Sequence, residues 1–234
     1  MLLLAFETSA KAASVALHDG QRLLGESYQN TGLTHSQTLL VMAEDLLKTC
    51  GVAAREVTAV AVAAGPGSFT GVRIGVAAAK GFAWGAELPC YGVSTLEAMA
   101  RNLDAYQGYV CPVMDARRSQ VYNALFYVNQ GKLERIRDDR AISLEALGEE
   151  LKILKEPVFL VGDGSILCYN TFLEKVSSLV CPAEHRMHQR AAGVALAALR
   201  QMEAGDPGDA NALAPNYLRL SQAERERLER EQQK

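Results

Sequence analysis

Two acids stand where a predicted strand gives way to a turn, Glu7 before Thr8-Ser9 and Asp115 before Ala116-Arg117. A carboxylate at such a strand end could serve Mg²⁺ or act as a base; Glu7 could equally hydrogen-bond its own turn through Thr8 and Ser9. The four histidines offer less. His18 lies on a polar strand end, His35 opens an amphipathic helix, and His185 and His188 stand three apart beside a predicted loop. None has a partner carboxylate at ligand spacing, so no metal site is expected. No G-x-S-x-G nucleophile elbow occurs. The five cysteines (50, 90, 111, 168 and 181) form no C-x-x-C pair. Most lie in apolar runs and read as small buried hydrophobes in a reducing compartment.

The elements that position these residues are organised around residues 65–92, GPGSFTGVRIGVAAAKGFAWGAELPCYG. The Val-rich run before it reads as a fully buried strand. Gly65-Pro66-Gly67-Ser68 is a turn, and Ser68 or Thr70 can cap a helix running to about Gly85. GPGSFTG is neither a P-loop nor G-x-G-x-x-G, so it reads as a phosphate contact or, more plainly, as a tight strand-to-helix turn. Within the helix Gly71, Gly75 and Ala79 leave one face nearly bare, beside a stripe of Val72, Val76 and Phe82. Each glycine costs about 1 kcal/mol against alanine, which calls for a packing reason: close approach of another backbone.

Strands are expected at 2–6, 13–18 and 22–28, followed by a helix that Thr34 and Gln37 open as a T-x-x-Q capping box and Gly51 ends. Leu39, Ala43, Leu46 and Cys50 make one apolar stripe of that helix, and Leu40 and Leu47 widen it. A short helix follows over 95–102. Strands at 109–114, 121–128 and 132–137 then repeat the opening pattern of strand, acidic turn, strand, glycine turn, strand. Helices at 143–151, 166–175 and 189–204 and strands at 157–165 and 178–180 complete the chain. The repeat predicts two similar α/β lobes, 1–105 and 106–220, with 221–234 as a charged, solvated tail.

Four segments resemble the TsaB (YeaZ) family: LLLAFETSAKAASVAL at the start, HSQTLL at 35–40, the central glycine stretch, and PNYLRL at 215–220. TsaB is the small paralogue of TsaD, which makes threonylcarbamoyladenosine in tRNA. The resemblance implies the two-lobed actin/Hsp70/sugar-kinase (ASKHA) fold, in which the acidic turns and a GDG-like turn face an interlobe nucleotide. A TsaD-like enzyme holds its metal with two histidines one helical turn apart, in a motif resembling V-N-H-L-E-G-H. Here the matching residues run from Val93 to Met99, with Thr95 and Met99 in the histidine positions. Neither replaces imidazole, so no metal and no catalytic residue is expected. His35 matches a helix-start histidine that TsaD does not use for metal, and reads as a cap or interface residue.

By this resemblance the chain is a non-catalytic scaffold or dimerisation subunit. It pairs with a TsaD-like catalytic subunit and, transiently, a TsaE-like ATPase, and it touches tRNA only through that complex. Together they transfer threonylcarbamoyl from threonylcarbamoyl-AMP to the adenosine next to the anticodon of ANN-reading tRNAs. It has no cofactor of its own; ATP or ADP belongs, if anywhere, at the partner interface. The expected interface joins His35, Ser36, Leu39, Leu40, Ala43 and Leu47 to Phe69, Gly71, Val72, Gly75, Val76 and Ala79, two helices from each partner. Alone, the same apolar surface would make a homodimer. The rival class is an enzyme on the same fold, an ATP-dependent small-molecule kinase or a peptidase.

Composition fits. At 234 residues, 49% apolar and 22% charged, the chain suits one large domain or two lobes. A net charge of −3 gives no bulk grip on nucleic-acid phosphates. The basic stretch 117–140 is interleaved with acids and reads as a solvated hairpin. MLLLAF is too short for a signal peptide and no run is long enough to cross a membrane, so the cytoplasm is expected.

Overall fold

The computed structural model describes residues 1–219; the charged tail expected at 221–234 lies outside them. The apolar runs of the first third make one sheet. β1 (Leu3–Glu7), β2 (Ala13–His18) and β4 (Ala59–Gly65) are buried along their length, as strands covered on both faces are. With β3 (Leu23–Gln29) and β5 (Cys90–Ser94) they stand in the order β3-β2-β1-β4-β5. β1 is antiparallel to β2 and parallel to β4. The connections are α1 (His35–Thr49) and α2 (Phe69–Ala86).

The second sheet repeats this plan in the order β10-β9-β6-β7-β8. After α3 (Thr95–Arg101) come β6 (Gly108–Asp115), β7 (Gln120–Asn129) and β8 (Lys132–Ser143). Then follow α4 (Leu144–Lys152), β9 (Val158–Val161), α5 (Ser165–Phe172) and β10 (Leu179–Val180). α6 (Glu184–Met187) and α7 (Ala191–Glu203) close the helical part.

Four apolar clusters stack these elements into five layers. α1 and α2 lie on Leu4, Phe6, Val15, Val60 and Val62. α7 lies on the opposite face, against Leu3, Ala5, Ala16, Ala61 and Ala63. α3 gives Ala98 to that cluster and Leu96, Met99 and Ala100 to the next, under Val110 and Phe126. α4 and α5 cover the far side of the second sheet. The expected lobe boundary 106–220 therefore needs correction. The chain returns from the second sheet, lays α7 on the first, and runs on over β4 and β5, where Asn216 N–H donates to the Ala64 carbonyl at 2.6 Å.

Local signals behave unevenly. Ser68 caps α2 through Gly71 N–H, and Gly51, at φ +68°, follows the end of α1. The T-x-x-Q capping box does not form: the Thr34 side chain makes no cap bond, and Gln37 N–H goes to the Thr34 carbonyl instead. β8 runs six residues past its expected end at 137. The expected solvated face of this hairpin is found at Arg117, Arg118 and Lys132, whereas the arginines of β8 are engaged with neighbouring acids. Arg135 bridges Glu97 of α3 and Asp139, while Arg137 and Arg140 share Glu150 of α4.

Candidate functional site

Four turns meet between the lobes, those after β1, β4, β6 and β9. They enclose a cleft of about 480 Å³ lined by Ser9, Lys11, Gly67, Asp115, Asp163 and Tyr217, among others. Glu7 does not line it. The side chain is fully buried: Oε1 accepts Ser9 N–H at 2.6 Å and Oε2 has no partner among the described residues. Burial pushes this carboxyl up to about 7, Asp163 adds to the rise, and the Ser9 bonds oppose it. Asp115, at the corresponding end of β6, is exposed and accepts the Arg117 N–H at 2.7 Å. Asp163 is also raised, by burial first; Gln189 Nε2 donates to its Oδ1 at 2.8 Å and pulls it back.

A nucleotide phosphate would need free backbone N–H groups, and several in these turns are already engaged. Ser68 N–H is given to the Ser9 carbonyl at 2.6 Å, Gly162 N–H to Met187 and Gly164 N–H to Val113. Gly67 is needed for close packing: a Cβ there would sit 2.5 Å from the Ser9 carbonyl. Gly65, at φ +120°, also has no room for a side chain, because the Asn216 carbonyl fills it. The glycine turn is a tight joint between β4, the Ser9 turn and the C-terminal segment.

Thr95 and Met99, in the positions a TsaD-like enzyme gives to histidines, are fully buried. Met99 is part of the core under the second sheet, and its Sδ lies 3.0 Å from where a Cβ on Gly162 would be. Among the described residues no group of three or more His, Cys, Asp or Glu could hold a metal. His35 Nε2 is bonded to the Ala10 carbonyl at 2.8 Å, so the ring secures the β1–β2 turn. His18 is held below its usual value by burial, and its Nδ1 accepts Gly20 N–H. His185 and His188 form no ligand pair; His188 lies 4.0 Å from Glu184. All five cysteines are free, and Cys90, Cys111 and Cys168 are buried.

The expected interface divides in two. Leu39, Ala43 and Leu47 of α1 and Gly71, Val72, Gly75, Val76 and Ala79 of α2 are buried within the chain, which corrects their assignment to a partner. The bare glycine face meets this chain's own backbone: a Cβ on Gly71 would overlap the Thr8 carbonyl, and one on Gly75 the Thr8 hydroxyl. Ser36 and Leu40 are exposed, and His35 and Phe69 are half-buried. Beside them the outward faces of α1 and α2 expose Leu40, Val41 and Trp84 at 57%, 56% and 55%, with Ile74, Ala78 and Phe82 partly buried between. On this side Gly81 and Gly85 face open space.

Sequence reasoning missed the strap formed by residues 206–219. Lys80 and Trp84 of α2 bond to Leu213 and Asn211, and Arg73 Nε donates to the Tyr217 hydroxyl at 2.8 Å. Tyr217 stacks on Phe69 at 4.8 Å between centroids, and Arg219 donates to the Ala116 carbonyl across the cleft mouth. PNYLRL marked the segment, but nothing local says that it crosses two lobes.

Two five-stranded sheets with helices on both faces, joined by turns around a cleft, make this a two-lobed protein of the ASKHA class. Component A of (R)-2-hydroxyglutaryl-CoA dehydratase from Acidaminococcus fermentans shares the fold at 12% identity, with a TM-score of 0.52 over 87% of this chain and 99% of that one. The family model described as tRNA N6-adenosine threonylcarbamoyltransferase, TsaD, matches residues 29–227. The TsaB protein of Bacillus subtilis is 34% identical over 98% of this chain and 99% of its own length. The structure of YeaZ from Pseudomonas aeruginosa is 29% identical, with a TM-score of 0.73 over 93% of this chain and 99% of that one. The chain belongs to the TsaB (YeaZ) family.

Proposed function

We propose that this chain is a non-catalytic subunit of the assembly that makes threonylcarbamoyladenosine in tRNA. Its relatives are named for that biosynthesis. The observation that carries the non-catalytic reading is the full burial of Thr95 and Met99, the latter in an apolar core, where a catalytic paralogue needs two imidazoles facing a metal. The partner is a TsaD-like subunit, with a TsaE-like ATPase joining transiently, and the chain meets tRNA only within that complex, in the cytoplasm. Any ATP or ADP is held at the partner interface, because Ser68, Gly162 and Gly164 in this chain's glycine turns give their N–H groups to internal carbonyls.

The docking surface is the outward face of α1 and α2. Leu40, Val41 and Trp84 supply apolar anchors, and Gly81 and Gly85 leave α2 flat enough for a neighbouring helix to approach. In the absence of the partner, a second copy occupies the same face. The test is reconstitution of threonylcarbamoyl transfer to tRNA with and without this chain. Activity should depend on the chain and survive Asp115→Ala within a few-fold. Loss of activity in Asp115→Ala with the complex intact would return the enzyme reading.

A further inference from the structure

The junction between the lobes holds more acid than its hydrogen bonding explains. Glu7 ends β1 opposite Ser14 of β2, and Ser14 Oγ accepts the Ala191 N–H at 2.7 Å. Two residues earlier, Gln189 Nε2 reaches Asp163 of the second lobe. A short stretch of chain, Gln189–Ala191, thus ties the Glu7 row of one lobe to the Asp163 turn of the other.

The junction also holds unpaired polar atoms. Glu7 Oε2 and Gln189 Oε1 are buried acceptors without partners among the described residues, and the Ser9 and Ser165 hydroxyls, each able to donate or accept, are unpaired too. Amide and carboxylate oxygens only accept, so an ionised Glu7 offers no donor here, whereas a protonated one supplies an O–H. No described cation is paired with Glu7. β2 presents the neutral Ser14. The β9–α5 turn presents Asp163, of the same sign, backed by Asp115 from β6. His188 acts on Asp163, while Arg190 is engaged by Glu26, and Arg73 of α2 is held on the strap by Phe69 and Tyr217. From α3, Glu97 is occupied by Arg101 and Arg135. An unpaired charge in such a place is costly, and the group keeps its proton instead.

We propose that Glu7 is a proton-dependent strut of the lobe junction, a protonated carboxylic acid on the acid side of neutrality whose ionisation loosens one lobe from the other. The sign follows from linkage. The folded carboxyl titrates near 7, the unfolded one at 4.5. Between these values the folded state binds the extra proton, so stability falls as pH rises through that window and levels off above it.

The experiment is thermal and urea unfolding of the full chain from about pH 5 to pH 8.5, comparing wild type with Glu7→Gln. Gln keeps the shape of the protonated acid and carries no charge. Wild type should lose on the order of a hundredfold in its folded-to-unfolded ratio across the window, and Glu7→Gln should lose that much less. Hydrogen exchange at Gly162 and Ala191, corrected for intrinsic rates, should quicken with pH in wild type and not in the variant. The infrared carbonyl band of a protonated buried carboxyl, read on wild type alone, should be present at about pH 6 and gone at about pH 8.5. A variant with the wild-type slope, equal destabilisation of the variant at every pH, or no such band at the lower pH would each overturn the proposal.

Discussion

The Thr8 hydroxyl donates to the Gly71 carbonyl at 2.7 Å, and a Cβ on Gly75 would fall on the same hydroxyl. The end of β1 is thereby pressed into α2, and the glycine face of α2 is an internal joint. Gly75→Leu overpacks that joint, which typically costs about 1–3 kcal/mol. The variant should lose several degrees in melting temperature. Gly81→Leu, on the open side of the same helix, should keep or slightly raise the melting temperature and weaken association. Differential scanning calorimetry beside sedimentation separates the two effects; the opposite assignment would put the seam back on Gly75.

Leu40 and Val72 make the same distinction with a charge. Leu40 is 57% exposed, so Leu40→Asp should change monomer stability by no more than about 0.5 kcal/mol. Pull-down of the TsaD-like subunit should nevertheless fail, as should transfer to tRNA. Val72 is 1% exposed, and Val72→Asp buries a lone carboxylate at a cost of several kcal/mol. It should yield little folded protein, leaving association without meaning. A well-folded Val72→Asp chain that fails to bind would show that this face opens to a partner.

Elemental analysis of the dialysed protein should find neither zinc nor iron near one per chain. A double substitution, Thr95→His with Met99→His, should not create a site. Both positions are core positions, and the variant should lose stability through two buried imidazoles. Stoichiometric metal in wild type would overturn this reading.

Tyr217→Ala removes the stack on Phe69 and the bond from Arg73. An aromatic pair is worth about 0.5–1.5 kcal/mol beyond its area, so the melting temperature should fall by a few degrees. Trypsin should then cut after Arg219 faster than in wild type, because the strap is released at its outer end. Equal cutting rates would mean that Asn216 and Lys80 hold the segment unaided.

The sheets were legible in the sequence because local pattern is all they need. The apolar runs at 13–18 and 57–65 and the paired strand–turn–strand repeats mark nine of the ten strands, although β5 (Cys90–Ser94) is not foreseen and β8 runs past its expected end. The faces of α2 were not legible. Periodicity separates Gly71-Gly75-Ala79 from Gly81-Gly85, but it does not say which small-residue stripe meets this chain's own Thr8 and which meets open space. That depends on the direction in which β1 delivers its turn, a long-range fact. Likewise Glu7 announced itself as an acid at a strand end, while the like charge that helps to raise it, Asp163, is more than 150 residues away in sequence. The arginines of β8 read as solvated because their partners, Glu97 and Glu150, lie on separate helices.

The return of α7 to the first sheet sets the order in which the chain can be finished as it leaves the ribosome. When residue 105 has emerged, one face of the first sheet has its helices, but Ala5, Ala16, Ala61 and Ala63 on the other still wait for a helix that begins only at Ala191. The second sheet has its own covering helices, α4 and α5, close at hand in sequence. Although the first sheet is translated first, the second can be closed sooner, and the nascent first sheet keeps an alanine-lined face that α3 alone only partly covers until Ala191–Glu203 arrives.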